Sequence, residues 1–152
     1  GAPLTNMVSM YNSIYWNAGI TDANIFEISQ GRFPDPWWMD WEKFIDNSPI
    51  FNINNTETPL LVEFGTDDGA VDFNQGVELY TTMRRMEKPF VMLVYEGENH
   101  GLAREENQID YATRAFQWHD HYLKGEEAPD WITEGVPYLE RPAMKAEDND
   151  GR

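Results

Sequence analysis

Two short segments of this chain carry residue types that do acid–base chemistry together. The first reads Thr66-Asp67-Asp68-Gly69-Ala70-Val71; the second, Glu98-Asn99-His100-Gly101, places His100 thirty-two residues after Asp68. An imidazole takes up and releases protons near neutral pH. A carboxylate that accepts from its Nδ1–H fixes one tautomer and stabilises the imidazolium, which is what a hydroxyl needs in order to lose its proton while attacking a carbonyl. Asp-Asp-Gly is also good turn chemistry by itself, since Asp bonds its own backbone and Gly takes positive φ. The chemistry therefore depends on what brings the two segments together.

Each segment starts where an apolar run stops. Pro59-Leu60-Leu61-Val62-Glu63-Phe64-Gly65 feeds the first, and Pro89-Phe90-Val91-Met92-Leu93-Val94-Tyr95 feeds the second. Continuous apolar runs of this length are expected to be strands buried on both faces. Between them, Phe73 to Met86 has helical spacing, with Gly76, Leu79, Tyr80, Met83 and Met86 on one face. Strand–helix–strand order implies parallel pairing through a right-handed crossover. Loops at the carboxyl ends of such strands share one rim of the sheet, so the long spacing between Asp68 and His100 is a consequence of the fold.

The remaining chain reads as follows. Gly1 to Asn6 has the look of a strand end with its loop, and Met7 to Gly19 of a short helix. Ala23 to Trp41 is rich in Pro and Trp, with Pro34-Asp35-Pro36-Trp37-Trp38 as a loop or helix start. Its tryptophans are expected to pack in the core beneath that loop. A short helix follows from Trp41 to Ile45 and ends before Ser48-Pro49. The last helix spans Asn107 to Lys124, with Tyr111, Ala115, Trp118 and Tyr122 as its stripe and Gly125 as its stop. His119 and His121 are two apart, so they point to different sides of a helix and make no metal pair.

The motifs resemble the catalytic domain of the prolyl oligopeptidase family of serine peptidases, in its dipeptidyl-peptidase and acylaminoacyl-peptidase branches. The resemblance runs from about Ala2 to Leu123 and rests on Ser48-Pro49, Thr58-Pro59-Leu60-Leu61, Phe64-Gly65-Thr66-Asp67-Asp68, Val71, Gln75, Tyr95 and Glu98-Asn99-His100-Gly101, in that order. It implies an α/β fold: the C-terminal half of an α/β-hydrolase, with parallel strands and crossover helices, over residues 1–125. Residues 126–152 are then an acidic, Pro-containing tail whose end, from Ala146, is expected to be disordered. Asp68 and His100 become the carboxylate and base of a Ser…Asp…His triad. Asp68 is preferred to Asp67 because the family has Val three residues after the Asp, as Val71 is here. Tyr15 is implied as a wall of the substrate pocket, while Glu98 is expected simply to order the His100 loop. Two positions depart from the pattern: Phe64 stands where the family usually has His, and Ala70 where dipeptidyl-peptidase relatives carry Asn.

The nucleophile is the missing part. An elbow needs Gly-x-Ser-x-Gly, and none of Ser9, Ser13, Ser29 and Ser48 has glycine two positions away on both sides. The resemblance places that elbow shortly before Gly1 and the oxyanion-hole loop further upstream still. The expected partner is thus an upstream half of the domain carrying Ser, with a short peptide as substrate and no cofactor or metal. An esterase of the same fold, or a non-catalytic self-associating module, remain as alternatives. Self-association is expected because a sheet cut beside the first strand leaves an open edge.

Composition narrows the classes further. The 152 residues include 41% hydrophobic and 14% aromatic residues, enough for a folded core. Cysteine is absent, which removes disulfides and cysteine-based metal sites. The net charge of −16 is wrong for nucleic acid, where clustered Lys and Arg neutralise phosphates. No apolar run reaches membrane-spanning length, so a soluble protein of cytoplasm or periplasm is expected.

Overall fold

The computed structural model describes residues 1–135. They belong to two compact units, Gly1–Phe116 and a second that begins at Gln117. The expected frayed end from Ala146 lies outside the described residues.

The first unit opens with α1 (Met7–Tyr11), whose N-cap Asn6 accepts from the Ser9 N–H. The helix expected to run on to Gly19 stops there. Ile14 and Tyr15 pair instead as β1 (Ile14–Tyr15) with β2 (Ile20–Thr21) in an antiparallel hairpin. Its turn closes through Gly19 at φ 66, a conformation that suits glycine. Next come α2 (Ala23–Glu27), α3 (Trp41–Asp46) and a 3-10 segment, Pro49–Asn55. Tyr11, Phe26, Phe33 and Phe44 form an aromatic core with Met10. Two of the tryptophans expected there lie outside it: Trp38 and Trp41 are more than half exposed. Phenyl rings carry no polar edge and fill the interior, while Trp37 packs edge-on against Trp38 and Trp41.

The second core sits under the site. β3 (Leu60–Gly65) and β4 (Phe90–Tyr95) pair in parallel, from Leu60 opposite Phe90 to Gly65 opposite Tyr95. That register brings both strands to an end at the same level, so their two loops leave side by side. The crossover is α4 (Asn74–Arg85), which buries Gln75, Gly76, Leu79 and Met83. Tyr80 and Met86, expected on that face, are exposed. A Cβ on Gly76 would come within 2.7 Å of the Phe64 ring, so the bare glycine lets the helix approach the strand closely. Phe64 is fully buried and packs edge-on against Phe73. β4 is half-exposed except at Tyr95, contrary to the two-sided burial expected of it. Its broad neighbours among the described residues are β3 and α4 alone.

Gly1 to Asn6 is not a strand in this structure. Backbone donors still need acceptors, and the buried Gln75 supplies one. Its Oε1 accepts from the Thr5 and Asn6 N–H groups at 3.1 and 2.8 Å. Helix α5 (Glu105–His119) follows the His100 loop. Tyr95 donates to Asp110 at 2.8 Å, and Asp110 also accepts from Arg114. Burial would raise the Asp110 carboxyl, but those two bonds outweigh it and hold it below its ordinary value.

In the second unit, a π-helical turn, Asp120–Lys124, ends at Gly125 with φ 75. The Trp118 ring packs against Tyr122 and Trp131, and Trp131 Nε1 donates to Gln117 at 2.8 Å. A short helix, α6 (Asp130–Thr133), closes the described chain. Among the described residues no helix is long and apolar enough to cross a membrane.

Candidate active site

The two loops are knitted together from their first residues. Thr66 N–H donates to the Tyr95 carbonyl and Asp67 N–H to the Glu98 carbonyl, both at 3.0 Å. In return Gly97 N–H donates to Thr66 Oγ1 at 2.8 Å. Gly65 makes this approach possible, because a Cβ there would lie 2.5 Å from the Asn99 carbonyl oxygen and closer still to Glu98.

The Asp68 side chain is fully buried and divides its oxygens between two tasks. Oδ1 accepts from the N–H groups of Ala70 and Val71, each at 2.9 Å. Oδ2 lies 3.0 Å from His100 Nδ1. An ionised carboxylate only accepts, so in a neutral imidazole this contact favours the proton on Nδ1 and the lone pair on Nε2. The His100 side chain is about half exposed, at 47%. The pair thus has one end fixed in the protein and the other, Nε2, available for a proton. Asp67 is exposed and accepts from the Thr66 hydroxyl at 3.1 Å, on no path to His100.

Glu98 is nine-tenths buried and ties the His100 loop to the start of α5. It accepts from Ala103 N–H at 2.7 Å, Arg104 N–H at 3.1 Å and Asn107 Nδ2 at 2.6 Å. These bonds, led by that from Ala103, hold its carboxyl below the ordinary value. Glu63, on β3, went unremarked in the sequence beyond its place in an apolar run. It is buried, and that burial raises its carboxyl; Asp68, His100 and Glu98 all lie within electrostatic reach.

A cleft beside Asp68 is lined by Trp16, Thr66, Asp67, Gly69, Asp72 and Phe73. Trp16, at the hairpin turn, was legible only as an aromatic beside Tyr15. Tyr15 itself is half-buried in β1 and is not part of that lining. No group of three or more His, Cys, Asp or Glu side chains is arranged to hold a metal ion among the described residues. Three of the four serines hydrogen-bond to other groups: Ser9 donates to Glu78, Ser13 to Asp72 and Ser48 to the Phe44 carbonyl.

Residues 3–126 match the sequence profile of the prolyl oligopeptidase family. The chain belongs to that family. It is 32% identical over 120 residues to the acylamino-acid-releasing enzyme of Rattus norvegicus, covering 78% of this chain and 16% of the relative. It is 25% identical over 137 residues to dipeptidyl-peptidase 5 of Porphyromonas endodontalis, covering 74% of this chain and 20% of that protein. The chain therefore spans about a sixth to a fifth of the length of these relatives. Among solved structures it superposes on a puromycin hydrolase with a TM-score of 0.62 at 20% identity, over 90% of this chain and 19% of that one. A puromycin-hydrolyzing peptidase from Mycobacterium tuberculosis gives a TM-score of 0.57 at 22% identity, over 61% of this chain and 14% of that one. These likenesses show the fold, that of an α/β-hydrolase domain. In this chain an Asp loop and a His loop follow the two neighbouring parallel strands.

Proposed function

We propose that this chain supplies the base and the orienting carboxylate of a serine peptidase that cleaves short peptides by acyl transfer. The attacking serine lies outside these 152 residues. The observation that carries the reading is the 3.0 Å contact from Asp68 Oδ2 to His100 Nδ1, with Asp68 Oδ1 already anchored by two backbone N–H groups. In the reaction, His100 Nε2 takes the proton of the serine hydroxyl as it attacks and delivers it to the leaving amine. Asp68 holds the ring in the tautomer this requires and stabilises the imidazolium between the two transfers. Trp16 and Phe73, beside Asp68, offer an apolar wall for a substrate side chain, a role that falls to them and not to Tyr15 in this cleft.

Partners follow from the same reading: a serine-bearing segment of the catalytic domain and a short peptide. The test is to express these residues together with a Gly-x-Ser-x-Gly-bearing segment of the same family and to measure hydrolysis of acyl-peptide and dipeptidyl reporters. Turnover that His100→Ala removes supports the proposal. Full turnover in that variant sinks it, and turnover of simple esters alone moves the reading to an esterase.

A further inference from the structure

Backbone bonds tie the bases of the two loops together, and beyond those bases a further tie must set the separation of Asp68 from His100. One side-chain oxygen is placed to do so. Asn99 Oδ1 accepts from His100 N–H at 2.7 Å and from Gly69 N–H at 3.2 Å. The first donor belongs to the histidine itself and the second to the residue after Asp68. A single acceptor is thereby shared between the two loops, and any increase in their separation removes one of its donors.

The orientation of the Asn99 amide follows from these bonds. Two backbone N–H groups can only be met by the oxygen, so its nitrogen must point the other way. There it donates to Asn17 Oδ1 at 2.8 Å, and Asn17 Nδ2 returns a bond to Asn99 Oδ1 at 3.1 Å. Asn17 sits in the turn of the β1–β2 hairpin, and its own N–H donates to the Gly69 carbonyl at 3.0 Å. The hairpin therefore grips the Asp68 loop through its backbone and the His100 loop through its side chain. Gly69 has to be bare for this, because a Cβ there would lie 2.9 Å from Asn17 Cγ and 3.1 Å from its backbone nitrogen.

We infer that Asn99, backed by Asn17, is a positioning residue that sets the Asp68–His100 contact. Neither asparagine touches the reacting atoms; both act through the loops. The inference rests on the reading of Asp68 and His100 as the orienting carboxylate and base. It goes beyond that reading by assigning their alignment to the hairpin, an element outside both loops.

The test reads the histidine tautomer of the 152-residue chain by long-range proton–nitrogen NMR, at a pH where the imidazole is neutral. The wild type should show His100 held as Nδ1–H. Asn99→Ala should shift the ratio toward Nε2–H by about fivefold to tenfold, the effect of losing one hydrogen bond of ordinary net strength. Asn17→Ala should give a smaller shift in the same direction, since its backbone bond to Gly69 remains. Asn99→Asp, which keeps an acceptor oxygen for both N–H groups, should restore the wild-type ratio. Unchanged His119 and His121 signals, with an unchanged circular dichroism spectrum, show that each variant is folded. A wild-type Nδ1–H spectrum that Asn99→Ala and Asn17→Ala both leave intact overturns the inference alone. A wild type already in the Nε2–H form removes the Asp68–His100 reading and the inference with it.

Discussion

Gly65 and Glu98 approach so closely that no side chain fits between their backbones. A Cβ on Gly65 would overlap the Glu98 carbonyl group and lie 2.5 Å from the Asn99 carbonyl oxygen. Gly65 closes the strand that leads to Asp68, and Glu98 opens the loop that carries His100. Backbone packing therefore holds the bases of the two loops together before any side chain of the pair is placed.

Gly65→Ala should consequently destabilise the fold by about 1–3 kcal/mol, the usual range for overpacking a tight site. The obstruction is backbone, so it cannot swing aside as the end of a flexible side chain would. Urea unfolding followed by circular dichroism measures this. A midpoint equal to that of the wild type would mean that the loops separate freely, and with them the Asp68–His100 contact.

Glu98→Gln tests the tie between the His100 loop and α5. Oε2 serves Ala103 N–H, while Oε1 serves both Arg104 N–H and Asn107 Nδ2. A glutamine keeps one of those oxygens and turns an NH2 group toward a donor, leaving a buried N–H unpaired. The variant should melt at a lower temperature at neutral pH. Since the Glu98 carboxyl is held below its ordinary value, the stability it contributes is present above its unfolded pKa and is lost as pH falls through the folded one. The difference in melting temperature should therefore shrink in acid. A difference independent of pH would assign the Glu98 effect to packing instead.

Asp22 gives the opposite dependence. It is fully buried at the end of β2, and neither of its carboxylate oxygens has a hydrogen-bond partner. Burial, with the charge of Asp72 nearby, raises it from 3.8 to about 6. The folded state thus holds this proton after the unfolded chain has lost it, so its contribution is fully present below pH 3.8 and declines up to about pH 6. Asp22→Asn removes the decline. The variant should match the wild type near the low end of that window and exceed it at neutral pH by about 2–3 kcal/mol. Denaturant melts of both proteins across the range decide the matter. Equal stability at neutral pH would show that Asp22 finds a partner in solution.

How far the sequence led can be judged from single residues. Strands of about the right length, their parallel order and the separation of Asp68 from His100 followed from two apolar runs and a helical segment between them. That pattern carries the fold because burial and backbone pairing act over many residues at once. The hairpin at Ile14–Thr21 was read as helix, since two-residue strands leave too short a pattern for any period to register. The pairing of Asn17 with Asn99 was invisible for a different reason. Eighty-two residues separate them, and a polar residue in a loop carries no signal of which distant amide it will meet. The exposure of Trp38 and Trp41 escaped as well, because composition gives no information on whether an indole fills a core or covers it.

The sharpest functional test contrasts neighbouring aspartates. Asp68 is buried with one oxygen on His100, whereas the side chain of Asp67 is exposed and accepts from the adjacent threonine hydroxyl. In a form of the protein where a serine nucleophile faces His100, Asp68→Asn should lower kcat by on the order of 10⁴, since an amide nitrogen facing Nδ1 favours the wrong tautomer. Asp67→Asn should change the rate by about twofold, as expected of a surface substitution. The 152-residue chain alone has no Gly-x-Ser-x-Gly and should show no turnover in either case. Single-turnover kinetics on an acyl-peptide reporter, with both variants purified in parallel, distinguishes the two residues. Equal losses, or a larger loss at Asp67, would remove Asp68 from the role assigned to it and transfer the carboxylate function to its neighbour.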